Sequence, residues 1–98
     1  MAQYTININN CGACPISLPV KVGDLVQFCT QDSRSYQLTG LGNVFQDVHG
    51  QIDVPANGCS PYYLVNGSPG KNKYNIGPNC PHVEDVEDAA TPDIIIEN

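Results

Sequence analysis

The 98 residues suffice for one domain, residues 1–98, with a modest core. Only 14% are charged, and the four Lys and Arg form no cluster, which excludes a phosphate-neutralising nucleic-acid surface. No apolar run approaches the ~18 residues of a membrane span, and the net charge of −6 lies in residues 84–98, where Glu84, Asp85, Glu87, Asp88, Asp93 and Glu97 stand without a base.

In chain order, no window sustains a 3.6-residue apolar period, whereas period-2 segments recur. Tyr4-Thr5-Ile6-Asn7-Ile8 alternates, with Tyr4, Ile6 and Ile8 on one face. Residues 9–15, Asn-Asn-Cys-Gly-Ala-Cys-Pro, read as a loop. Ile16–Val20 is extended, and Pro19 confines it to an edge or a bend. Val22-Gly23-Asp24 is a turn, and Leu25–Thr30 is the strongest strand, with Val26 and Phe28 sharing a face. After the polar turn Gln31–Arg34 comes the short strand Tyr36–Thr39. Val44–Val48 and Gln51–Val54 read as a hairpin flanking His49-Gly50. Pro61–Val65 is another strand, Asn66-Gly67-Ser68-Pro69-Gly70 a reversal, and Lys73–Ile76 a further strand. Asp93–Glu97 closes the chain, and its run Ile94-Ile95-Ile96 suits a strand covered on both faces. Short strands with turn signals every 8–12 residues predict an all-β chain: a small Greek-key β-sandwich or barrel.

The order of these pieces resembles the cupredoxin family. The matching segments are Val20-Lys21-Val22-Gly23-Asp24-Leu25-Val26-Gln27-Phe28, then Asp32 through Tyr36-Gln37-Leu38, then Ser68-Pro69-Gly70 ahead of Lys73-Tyr74-Asn75-Ile76. Cys80-Pro81-His82 and Asp93-Ile94-Ile95-Ile96-Glu97 complete the series, so the resemblance covers residues 16–97. It implies a cupredoxin-like sandwich; Gly77-Pro78 and Pro81, which bar regular pairing, together with the apolar run Ile94–Ile96 predict that residues 77–92 loop at one end between neighbouring strands Tyr74–Ile76 and Asp93–Glu97. The resemblance also implies a first copper-ligating His near Ser35 or Tyr36, and neither is His. The family's Cys-to-His spacing is longer than that of Cys80 and His82, and the Met that usually follows is missing, Met1 being the sole Met. A type 1 site needs two imidazoles and a thiolate in near-trigonal geometry.

Cys80 and His82, with His49 as a third candidate, are the metal candidates, because thiolate and imidazole suit copper or zinc. The alternative for the same residues is a half-cystine or small buried Cys beside a solvated His. Cys11-Gly12-Ala13-Cys14 is a C-x-x-C, but Pro15 to Pro19 cannot begin the helix that activates a thioredoxin-like thiol. Cys11, Cys14, Cys29, Cys59 and Cys80 are all disulfide candidates, with the pairing open, and at least one bridge is expected in an oxidising compartment. Glu84, Asp85, Glu87 and Asp88 lack the spacing of a calcium loop. They read as a solvated face or a docking patch for a basic protein. Asn66-Gly67-Ser68 matches a glycosylation acceptor, relevant only to a secreted eukaryotic protein.

No arrangement supports general acid–base or nucleophilic catalysis, so an enzyme is not expected. The reading is a cupredoxin-like sandwich without an intact type 1 copper site and with no cofactor, serving as a binding or structural module. Two alternatives stand beside it: a copper electron-transfer protein using Cys80 and His82, and a thiol/disulfide protein using Cys11 and Cys14. Met1-Ala2-Gln3-Tyr4 has no basic or apolar leader character. The start suits a cytosolic chain or an exported one whose leader was replaced, and export is favoured if a leader was removed.

Overall fold

The computed structural model describes residues 2–46, 48, 50–77 and 92–97. Among the described residues ten strands make up the regular structure: β1 (Gln3–Asn9), β2 (Gly12–Cys14), β3 (Ser17–Lys21), β4 (Leu25–Cys29) and β5 (Tyr36–Thr39). They continue as β6 (Gln51–Val54), β7 (Tyr63–Leu64), β8 (Gly70–Lys73), β9 (Asn75–Gly77) and β10 (Asp93–Glu97). Among the described residues no helix is long and apolar enough to cross a membrane.

One layer runs β2-β1-β4-β7. Opposite it stand β3-β10-β8 and β6-β5-β9. Residues 70–77 link these two ladders, because β8 pairs with β10 and β9 pairs with β5. The pairings β1 with β4 and β3 with β10 are parallel. A two-residue turn cannot join parallel strands, so long connections cross between the layers.

The period-2 pattern explains the burial. Ile6 and Ile8 of β1 and Val26 and Phe28 of β4 turn one set of side chains fully inward. Leu18, Val20, Leu38, Ile52, Val54, Ile94 and Ile96 meet them from the other ladders. Phe28 packs edge-to-face on both Phe45 and Tyr74, with ring centroids 6.1 Å apart in each pair. Burying each such aliphatic or aromatic side chain contributes about 1.5–3 kcal/mol. Pro19 does lie on an edge strand among the described residues, where β3 pairs with β10 alone. β10 is the middle strand of its ladder, with Ile94 and Ile96 buried and Ile95 half-buried.

The motif Lys21–Asp24 is a tight turn that closes on a carboxylate. The Asp24 N–H donates to Lys21 O at 3.0 Å, and Gly23 supplies the positive φ of 99° that this reversal requires. The Asp24 Oδ2 accepts the Lys21 N–H at 2.9 Å, and Oδ1 accepts the Ala2 N–H at 3.1 Å. One carboxylate thus fastens the β3–β4 turn to the start of β1. These bonds, Lys21 first and Ala2 second, hold the Asp24 carboxyl below the usual carboxylate range, against a desolvation that opposes them.

Three expectations are corrected. Residues 9–15 are not a plain loop: Asn10 and Cys11 both adopt positive φ (52° and 63°), and β2 folds back on β1 as a two-residue hairpin. Positive φ at both central positions is the signature of the type I′ turn, which matches strand twist. Val44–Val48 is not one arm of a hairpin with Gln51–Val54. Val44 to Gln46 form a turn with one bridge, Phe45 to Val65, and β6 pairs with β5 instead. The strand beside β10 is Gly70–Lys73, not Tyr74–Ile76. At Tyr74 the chain changes partner: its N–H still donates to Pro92 O at 3.0 Å, and the next residues pair with β5.

Candidate functional site

The Asn10-Cys11 turn, the β4–β5 loop and the Asn57 turn meet at one end of the sandwich, and Asp32 is their common anchor. Its Oδ2 accepts the Asn10 N–H at 2.7 Å and a hydrogen bond from the Tyr36 hydroxyl. The Cys11 N–H in turn donates to that hydroxyl at 3.3 Å. Asp32 also accepts the Asn57 N–H on its main-chain oxygen at 2.9 Å. Asn9 completes the frame, its Oδ1 accepting the Gln31 N–H at 2.9 Å and the Thr30 hydroxyl at 3.4 Å.

Tyr36 opens β5, and its ring is buried at 1% exposure. The Arg34 guanidinium sits 4.7 Å from the ring centroid, a cation–π distance. The Tyr36 hydroxyl bond, and after it the Asn10 N–H, hold the Asp32 carboxyl below its ordinary range, with Arg34 adding to the effect. Burial, and after it the Asp32 carboxylate, push the Tyr36 phenol up. The pair is therefore a fixed phenol–carboxylate couple at neutral pH, and its chemistry is to hold two turns together.

Cys29 and Cys59 form a disulfide that ties β4 to the Asn57 turn. Cys11 is disulfide-bonded as well, whereas Cys14 is a free, exposed thiol. Cys11 and Cys14 are thus not joined to each other, which leaves the C-x-x-C redox alternative without its couple and makes Cys14 the unpaired one among the disulfide candidates that the structure describes. Cys80, His82, His49, Glu84, Asp85, Glu87 and Asp88 lie outside the described residues. Among the described residues no three His, Cys, Asp or Glu side chains gather closely enough to hold a metal ion.

In the sequence Tyr36 reads as the start of a short strand and as a place where a His is missing, and Asp32 reads as part of a polar turn. A carboxylate four residues ahead of an inward-facing Tyr was the available signal. Its meaning depends on the Asn10-Cys11 turn arriving from a distant part of the chain.

This layered arrangement is that of a cupredoxin-like sandwich, and comparison with solved structures gives the same fold. Amicyanin from Paracoccus versutus (Thiobacillus versutus) superposes with a TM-score of 0.63 at 14% identity, over 95% of this chain and 79% of that one. The purple cupredoxin from Nitrosopumilus maritimus gives a TM-score of 0.61 at 13% identity, over 95% of this chain and 98% of that one. An amicyanin variant in the Cu(I) state gives 0.60 at 17% identity, over 95% and 80%. No family model matches the sequence, and no curated protein matches it.

Copper is the metal that the sequence resemblance implies, and the described residues that it assigns to the first ligand do not fit it. The position that the resemblance assigns to the first imidazole holds Tyr36 or its neighbour Ser35. The Tyr36 hydroxyl is already committed to Asp32 and to the Cys11 N–H. A phenol locked in this way offers neither the imidazole nor the open coordination position that a type 1 centre requires.

Proposed function

We propose that this chain is a non-enzymatic binding or structural module on a cupredoxin-like scaffold, without a type 1 copper centre. The observation that carries the reading is the Tyr36–Asp32 pair standing where the fold family would place a copper-binding imidazole. Titration with Cu(II) tests it. The expected result is no intense thiolate-to-copper absorption in the visible. A strong band that disappears in Cys80→Ser would instead establish copper electron transfer through Cys80 and His82, with His49 as the further ligand to examine.

The partner class follows from charge. Glu84, Asp85, Glu87 and Asp88, uncompensated by any base after residue 83, suit a basic protein surface. Retention on immobilised polylysine should fall steeply with salt, and replacing these four residues by their amides should reduce it. Retention unchanged by the replacements would sink the assignment. The Cys29–Cys59 disulfide supports an exported, oxidising location. Thiol mapping of protein from its native source should find these two cysteines oxidised.

A further inference from the structure

The chain contains two Asn-Gly steps, Asn57-Gly58 and Asn66-Gly67, and the fold treats them differently. We infer that Asn66 is a site of spontaneous backbone-assisted deamidation and that the fold protects Asn57 from the same reaction. In this chemistry the main-chain nitrogen of the following residue gives its proton to hydroxide and bonds to the Asn Cγ. The Cγ–Nδ2 bond breaks, and ammonia leaves. Water then opens the five-membered imide at either carbonyl, giving aspartate or isoaspartate. The net change is one water consumed and one ammonia released, with no oxidant or reductant. A following Gly favours the attack because no Cβ blocks the nitrogen and the backbone turns freely.

At Asn57 the geometry resists ring closure. The residue is held at φ 52°, and its N–H donates to Asp32 O at 2.9 Å. The attacking nitrogen, that of Gly58, is engaged with Pro55 O at 3.1 Å, and Gly58 O accepts the Thr30 N–H at 2.9 Å. The neighbouring Cys59 is fixed in its disulfide. The ring cannot close until the Gly58 bond breaks and the turn leaves this frame.

Asn66 is exposed on an open polar cleft of about 520 Å³, which it lines with Asn43, Ser68, Lys71 and Asn72. Its own N–H donates to Val44 O at 2.8 Å, but among the described residues no acceptor engages the Gly67 N–H. Asn66 is exposed, so its side chain is not held by packing against the core. Conversion adds a negative charge beside Lys71. The isoaspartate product also lengthens the main chain by one carbon at a place with no slack. A Cβ on Gly67 would stand 2.3 Å from the Asn43 carbonyl oxygen and 2.8 Å from Ile96 Cδ1.

The experiment follows the intact protein at mildly alkaline pH, with peptide mass mapping of both sites over time and a parallel sample unfolded in guanidinium chloride. In the folded chain Asn66 should convert about tenfold faster than Asn57 or more, since the Asn57 turn must first give up its hydrogen bonds. In the unfolded chain the two rates should be similar. Protein enriched in isoaspartate at position 66 should melt below the unconverted protein. Equal rates in the folded chain would overturn the inference. So would an Asn66 that stays inert while the unfolded control reacts, or the same rate ratio in both states.

Discussion

The Tyr36 hydroxyl donates a hydrogen bond to the Asp32 carboxylate across the start of β5, and the same carboxylate oxygen accepts the Asn10 N–H, so one side chain ties two turns together. Removing the Tyr36 bond is the first test. In Tyr36→Phe, Asp32 loses its strongest donor and the Cys11 N–H loses its acceptor. Stability should fall by roughly 1–2 kcal/mol in denaturant unfolding. Chemical shifts at Asn10 and Cys11 should move while the core strands stay put. An unchanged hairpin would show that Asp32 and Tyr36 do not anchor it.

The pH dependence has a definite sign. Asp24 and Asp32 both carry depressed carboxyl pKa values in the folded protein. Their stabilisation is complete above the unfolded-state value of about 4 and is lost as pH falls through the lower folded value. Unfolding midpoints should therefore be flat near neutrality and drop below about pH 4. Asp24→Asn should flatten part of that acid limb. Asp24→Ala, which orphans the Lys21 and Ala2 N–H groups, should cost about 2 kcal/mol at neutral pH. A variant with the wild-type acid limb and midpoint would remove Asp24 from the account.

Tyr74 is nearly wholly buried, and its hydroxyl has no hydrogen-bond partner among the described residues. Burial, and after it the nearby Asp93 carboxylate, push its phenol pKa up, so it stays protonated throughout the accessible range. A buried hydroxyl without a partner costs roughly 1–3 kcal/mol of desolvation. Tyr74→Phe keeps the edge-to-face contact with Phe28 and should raise stability by about 1 kcal/mol. A loss of that size in a melt would reveal a partner for the hydroxyl.

Gly67 has no room for a side chain. Gly67→Ala drives its Cβ into the Asn43 carbonyl and Ile96. These atoms are main chain and core, so the loop must shift, and a loss of about 1–3 kcal/mol is expected. Gly23→Ala offers a contrast: it meets no atom within 4 Å, and its cost comes from its positive φ. Wild-type stability in Gly67→Ala would contradict the packing at this loop.

Much of this fold is legible in the sequence because alternation is a local signal. Ile6 with Ile8, Val26 with Phe28, and Ile94 with Ile96 can each be assigned to an inward face before any partner is known. Pro19 marks its edge for the same reason, since it lacks a donor wherever it stands. Partner choice is not local. The Asn10-Cys11 reversal takes a conformation costly for a Cys, and distant Asp32 and Tyr36 hold it in place. The exchange of partners at Tyr74 is likewise invisible to a period-2 pattern, which runs through it unbroken. The Asp32–Tyr36 couple is not legible in the sequence because a carboxylate in a polar turn reads as surface until the Asn10-Cys11 turn is brought against it.

The change of partner at Tyr74 also bears on how the molecule comes apart. A stretch stitched to β10 by residues 70–73 and to β5 by residues 75–77 belongs to neither ladder alone. Peeling away either one drags on the other through the buried Tyr74 ring, which is itself wedged against Phe28 of the facing layer. Partial opening that spares one ladder is therefore disfavoured, and the slowest-exchanging amides of β4, β5 and β10 should share a single free energy of opening, that of the whole domain.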